Sequence, residues 1–433
     1  MPLNDLRQMS AVMNKKQSIF SFSLVIIYLF LEYIRPQVLI PSLTVLHLPA
    51  ITVALIALSL IFSGKLSLKD KQTIFFTAIM LEMILHGPLA VNNYWAFIRF
   101  YEMSITFIAY LGIISFVDNE DKYKKLIKYW IILFIILAII GILNQGIGTG
   151  GFIGDENDFC MAINMIIPFA LFGVFSAKNK LHKIYFIVVA CIFLSAVLTY
   201  SRGGFVGLVS VLIYCWLRSN KKVAFGLIIG LLFIFVALTT PSSYWNRVLT
   251  ISDEYHDITG TEKQAGTGGQ RIYAWKLGWK IFLDNPVIGV GQGNYPWHVG
   301  KVEEELGVLW QTRSLAGRVS HSLYFTLLPE LGIIGVLLFS FMIAYSMKYL
   351  NYVKNVINIG KNIYTAEESK YIYYLALSLE GSLIGFLASS VFISTLYYPN
   401  IWILCGFIVS LRTIVYRKCG ELNKINRNYG RKH

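Results

Sequence analysis

The sequence predicts an all-α polytopic membrane protein of about twelve transmembrane helices, and three observations carry that reading. Of the 433 residues, 56% are hydrophobic and only 14% are charged, with a mean hydropathy of +0.59. The apolar residues lie in continuous runs near the roughly 20 residues that a helix needs to cross a hydrocarbon core. A transmembrane barrel would instead show alternating segments of roughly ten. Finally, 27 of the 38 Lys and Arg residues fall on alternate loops and on the two tails, the asymmetry that retention on the cytoplasmic side produces. Together these exclude a compact soluble enzyme.

Taken in order, the apolar runs lie at about 19–34, 45–63, 72–87, 95–117, 126–143, 158–176, 182–200, 203–217 and 223–240, then at 322–347, 371–391 and 400–416. The first follows Lys15 and Lys16 but ends in Glu32-Tyr33-Ile34-Arg35-Pro36 without a small-x-small cleavage site, so it is read as a retained span. The expected organisation is nine helices over 1–240, a large outer loop domain over 241–320, three helices over 321–417 and a basic cytoplasmic tail over 418–433. Both termini are then cytoplasmic. The net charge of +14 follows from this topology and from contact with anionic membrane lipids, and no nucleic acid partner is expected. Cys160, Cys191, Cys215 and Cys405 fall inside spans and Cys419 in the tail, so neither a disulfide nor a Cys/His metal site is expected.

The 241–320 segment has a Gly/Thr-rich stretch from Thr259 to Gly269, expected to be a loop, and then an amphipathic helix over about 270–283. Asp284-Asn285-Pro286 ends that helix. Gly289, Gly291 and Gly293 then mark a turn whose backbone needs positive φ or a close approach. Trp275, Trp279, Trp297 and Trp310 suit an interfacial aromatic belt, with stacking on sugar faces as the second reading. Asp253, Glu254, His256 and Asp257 imitate a metal cluster in what reads as a solvated loop.

Charged residues inside or beside spans are functional candidates. Glu32 with Arg35, Arg99 with Glu102, and Glu82 with His86 have helical spacing for local pairing, whereas Glu380 has no partner nearby in sequence. Arg202, in Thr199-Tyr200-Ser201-Arg202-Gly203-Gly204, has no acid within forty residues and sits beside a glycine pair that would admit another molecule. Arg271 likewise lies in an acid-free stretch, and Arg318 and His321 stand where the outer segment re-enters the membrane. Such an arrangement suits a lipid-linked diphosphate. Two guanidiniums neutralise its head with bidentate bonds, and a helix N-terminus adds partial positive charge. His321 is the natural base for an attacking hydroxyl. With Arg carrying the leaving charge, no metal or other cofactor is expected.

The motifs Thr199-Tyr200-Ser201-Arg202-Gly203-Gly204, Arg271-x3-Trp275, Asn285-Pro286 to Asn294, and His321-Ser322-Leu323-Tyr324 with Pro329-Glu330-Leu331-Gly332 resemble those of the O-antigen ligase and polymerase superfamily. Gly154-Asp155-Glu156-Asn157 resembles the family's outer loop before a span. The resemblance implies an inverting glycosyltransferase of the GT-C type, acting in lipopolysaccharide assembly. It would move a glycan from undecaprenyl diphosphate to a sugar hydroxyl of the lipid A core. The counterparts of Arg202 and Arg271 would engage the diphosphate and that of His321 the acceptor hydroxyl, with Arg318, Tyr324, Ser201, Asn157 and Asn294 as candidate substrate contacts. O-unit polymerases and protein O-oligosaccharyltransferases share these motifs. A transporter or flippase would instead show an internal repeat and broken helices near the midplane.

Overall fold

In hydrocarbon, a backbone that cannot bond to water must bond to itself. The computed structural model accordingly has only helices as regular structure among its described residues, which are 3–66, 68–176, 180–239, 267–307, 309–310, 313–359 and 363–430. The main helices are α1 (Leu3–Tyr33), α2 (Leu48–Ser63), α3 (Lys71–His86), α4 (Asn93–Phe116), α5 (Glu120–Leu143), α6 (Glu156–Ser176), α7 (Lys180–Leu198), α8 (Arg202–Arg218) and α9 (Lys222–Thr239). They continue with α10 (Thr267–Asp284), α11 (Tyr295–Leu306), α12 (Tyr324–Ile359), α13 (Ala366–Ser389) and α14 (Pro399–Gly430). Among the described residues, eight of these are long and apolar enough to cross a membrane: α2 to α6 and α12 to α14. Helices α1, α7 and α9 carry shorter apolar stretches at Gln17–Tyr33, Ile187–Leu198 and Lys222–Ile234. The 17-residue α8 covers the remaining expected run, so among the described residues eight of the twelve expected spans are helices long and apolar enough to cross.

Helices α6 and α13 form the middle of the bundle, where small residues let backbones approach. A Cβ on Gly204 would lie 2.3 Å from the Cys160 sulfur, one on Gly207 1.9 Å from Ser389 Oγ, and one on Gly385 2.6 Å from Val211. Asn164 binds the three helices together, its amide donating to the Gly204 carbonyl at 2.8 Å and to Ser389 Oγ at 3.1 Å. Pro168 interrupts the α6 ladder. Ser378 and Ser382 on α13 donate to the carbonyls of Pro168 and Met165 around that break, the kind of neighbouring hydroxyl that makes an intramembrane proline tolerable. On the periphery, Leu55, Phe62, Leu85, Leu227, Leu238 and Phe341 turn outward, as lipid-facing surfaces do.

One end of the bundle is basic and tied by ion pairs. Lys65 and Lys122 both bond Asp118, at 2.7 and 2.8 Å, and Lys418 bonds Glu120 at 2.8 Å. Glu380 finds its partner across helices in Lys354, with Arg218 at 4.0 Å. Of the expected helix-face pairs, Arg99 and Glu102 bond at 2.7 Å. Glu82 and His86 do not bond each other: both carboxylate oxygens of Glu82 and Nδ1 of His86 are buried without a hydrogen-bond partner. Arg35 donates instead to the Gly150 carbonyl at 3.2 Å and lies over the Phe152 ring.

The opposite end holds the candidate site residues, and a broken helix organises it. Within α12, Pro329 and a non-helical Gly332 (φ +58°) interrupt the ladder, where a continuous span was expected. The 286–291 backbone fills the gap. Val290 N donates to Pro329 O and Gly291 N to Glu330 O, at 2.8 and 2.9 Å, while Ile333 N and Ile334 N donate to Pro286 O and Val287 O, at 2.9 and 3.2 Å. This explains the glycine turn. Gly289, Gly291 and Gly293 all have positive φ, and a Cβ on Gly289 would lie 2.5 Å from the Glu330 carbonyl carbon. The buried Glu330 carboxylate then accepts from Gly293 N at 2.7 Å, from Tyr295 N at 3.1 Å and from the Tyr397 hydroxyl. Protein backbone thus closes the break.

Candidate active site

Helix α8 begins at a built N-terminus. Ser201 is its N-cap, with Oγ accepting from Gly204 N at 2.8 Å and donating to Asn157 Oδ1 at 2.7 Å. Asn157 is oriented in turn by Asp155, whose Oδ1 accepts from its backbone and side-chain nitrogens at 2.8 and 2.9 Å. Tyr200, immediately before the cap, is left-handed at φ +54°. Arg202 therefore leaves the first helical position, where the backbone N–H groups carry partial positive charge. The glycine pair after it does not open the site. Both residues are buried, Gly203 against Phe392 and Gly204 against Cys160, so the pair serves helix packing and not the approach of a substrate.

Helix α10, expected over about 270–283, starts at Thr267 and runs to Asp284. Thr267, Gly268 and Gly269 thus open the helix, where a loop was expected; the rest of that stretch, with Asp253, Glu254, His256 and Asp257, lies outside the described residues. Trp275, one turn beyond Arg271, joins three elements. Its indole stacks on Phe325 at 5.3 Å and 6°, packs on Phe392 at 6.0 Å and donates to the Ser320 carbonyl at 3.0 Å. Phe392 in turn meets Gly203. A continuous run of contacts thus links the residue beside Arg202, the turn after Arg271 and the residue before His321.

His321 is itself left-handed at φ +51°, a conformation costing roughly 1–2 kcal/mol for a non-glycine residue. The surrounding structure holds it there. Ser320 Oγ pairs with Thr326 Oγ1 at 2.9 Å and with Ser394 Oγ at 3.3 Å, and Leu323 N donates to Ser390 O at 2.9 Å. Part of the His321 side chain is open to the site. Desolvation by the surrounding protein, then Arg271 and Arg318, hold its imidazole below the ordinary range, while Asp155 opposes them. A lowered value keeps the imidazole neutral, able to accept a proton, at neutral pH and somewhat below it. The acid limb of the rate should accordingly have its midpoint below the ordinary value of about 6.5. Arg318→Gln removes a nearby positive charge and should move that limb to higher pH, whereas Asp155→Asn should move it lower. Limbs that shift together, or not at all, would mean that the group controlling the rate is not His321.

The other expected substrate contacts divide by exposure. Arg318 is exposed beside His321. Tyr324 opens α12 with its hydroxyl donating to Leu387 O at 3.0 Å. Asn294 is fully buried, its Oδ1 accepting from Asn92 N at 2.8 Å and its amide donating to Asn92 O and Gln292 O at 3.3 and 3.0 Å. Both of its amide hydrogens are thereby engaged, which makes it a clamp between the glycine turn and the start of α4 and removes it from the residues that meet substrate. Sequence reading passed over Asp155 as a site residue although its motif was visible, and it had no signal for Ser394 or Phe392.

The segment that carries His321 contributes Gly317, Val319 and Thr326 to a cavity of about 300 Å³, bounded also by Trp95, Arg99, Tyr295, Trp297, Ser394 and Tyr398 among others. Tyr398 closes it toward α6, its hydroxyl donating to Asp158 Oδ2 at 3.0 Å.

Residues 186–340 match the family model described as O-Antigen ligase. That stretch holds Arg202, Arg271, Arg318 and His321, while Asn157, Arg99 and Phe392 lie outside it. No curated protein matches the chain.

Proposed function

Because residues 186–340 place the chain in the O-antigen ligase and polymerase superfamily, we propose that it is the ligase: an inverting glycosyltransferase of lipopolysaccharide assembly that uses undecaprenyl-diphosphate-linked glycan as donor and the lipid A core as acceptor. The observation that carries this reading is the meeting of the Arg202, Arg271 and His321 backbones through Gly203, Phe392, Trp275 and Ser320. In the proposed step an acceptor hydroxyl oxygen attacks the anomeric carbon from the face opposite the diphosphate. His321 takes the hydroxyl proton as the bond to the diphosphate oxygen breaks, and the bonding pair leaves on the diphosphate. Arg202, the N-terminus of α8 and Arg271 neutralise that departing charge, so the step asks for no metal ion. The products are a new glycosidic bond, undecaprenyl diphosphate and one proton on His321.

In this reading the loop-domain end faces the periplasm and the basic end the cytoplasm, as the Lys/Arg distribution favours. The prenyl chain then lies in the bilayer around the helical bundle while its head reaches the site. Polymerase chemistry uses the same groups on a different acceptor, so a gel of lipopolysaccharide from a deletion strain separates the two. Loss of all O-glycan, with long lipid-linked chains accumulating, is the expected result. Core capped with single repeats would reject the ligase reading in favour of the polymerase.

A further inference from the structure

The 300 Å³ cavity lined by Val319 and Thr326 is at the lower end of the roughly 300–1,000 Å³ typical of small-molecule sites, and its lining lacks Arg202 and Arg271. Two indoles, Trp95 and Trp297, line it while remaining 39% and 46% exposed. The cation among its described lining residues, Arg99, is already compensated: the guanidinium bonds Glu102 at 2.7 Å and lies over the rings of Trp95 and Tyr397. The other charged group in its lining, Glu330, is bonded to Gly293, Tyr295 and Tyr397. A compensated cation makes a poor phosphate site. Exposed indole faces beside the hydroxyls of Thr326, Ser394 and Tyr398 instead match a ligand with an apolar ring face and a rim of hydroxyls.

We propose that this cavity is a subsite for an uncharged sugar ring of the glycan, stacked on Trp297, and this rests on the transferase reading above. Ser320 carries the argument to the reacting atoms. Its hydroxyl bonds Thr326 and Ser394 in the cavity wall, and its neighbour in sequence is His321. A ring held there is therefore one hydroxyl network away from the residue that precedes His321. Donor and acceptor are both glycans, so the same chemistry has two sources.

The test uses the full chain in lipid nanodiscs with undecaprenyl-diphosphate-linked repeat units as donor and delipidated core oligosaccharide as acceptor. Trp297→Ala should raise the acceptor KM about tenfold, the order expected for losing one stacked ring, with kcat and donor KM little changed. Trp297→Phe should stay within about threefold of the parent. A rise in donor KM alone would support a sugar subsite on the donor side. Unchanged KM values for both substrates in an active Trp297→Ala enzyme would overturn the subsite and leave the transferase intact. If the parent chain transfers nothing, saturation-transfer NMR of the core oligosaccharide decides the subsite separately. Signal lost in Trp297→Ala supports it, and equal or absent signal in both proteins overturns it.

Discussion

Arg202→Ala and Arg271→Ala should each lower glycan transfer by roughly 10²–10³-fold, the scale seen when one preorganised donor to a developing anion is removed. Each keeps the neighbouring contacts in place: the cap of α8 depends on Ser201 and Gly204, and the indole of Trp275, one turn after Arg271, makes the bond to Ser320. Membrane insertion and monodisperse behaviour in detergent should therefore match the parent. Lysine at either position should restore only part of the rate, since an ammonium keeps the charge but loses the planar two-pronged bond to phosphate. Because Arg271 also depresses the His321 imidazole, Arg271→Ala alone should shift the residual pH profile upward. Full activity in both alanine variants would end the proposal that these guanidiniums carry the diphosphate.

His321→Ala should cost roughly 10²–10⁴-fold in kcat, the range for losing a positioned general base. The donor KM should stay near its parent value, because the diphosphate is bound by other groups. Alanine at φ +51° introduces a second change, since it tolerates the left-handed region poorly. Asparagine occupies that region several-fold more readily than most residues, so His321→Asn separates the chemistry from the backbone. Both variants should be equally inactive and both should fold. If His321→Asn retained more than about a tenth of the parent kcat, base catalysis by this residue would be untenable.

Much of this architecture could be read from residue order, for identifiable reasons. Long apolar runs leave the backbone no alternative to helix. The close spacing of Gly289, Gly291 and Gly293 announced a backbone approach that the structure places at Glu330. Glu380 announced a partner on another helix, found in Lys354. What escaped depends on tertiary contact. The break at Gly332 is stable only because residues 286–291 supply its missing partners, which no local pattern encodes. Helix α11 was not anticipated beyond its first residue, Tyr295, which ends the expected turn. Its Pro296 and Gly300 weaken the periodic signal, and its Glu303, unfavourable near a helix C-terminus, is there to accept from Ser314 and Leu315. The meaning of Gly203 and Gly204 was inverted for the same reason: small residues permit close approach, but only the fold says by what. The Asp155–Asn157–Ser201 relay joins two segments forty residues apart, so its parts were visible and its connection was not.

The seam between the glycine turn and α12 constrains motion as well as shape. Four backbone bonds at 2.8–3.2 Å and the Glu330 carboxylate fasten one to the other, and an unsatisfied buried backbone group costs about 1–3 kcal/mol. Lifting the turn away would strip these groups together, so this part of the protein cannot swing as a lid. It works as a fixed anvil, and in the proposed reaction the mobile partners are the lipid-borne donor and acceptor diffusing to it.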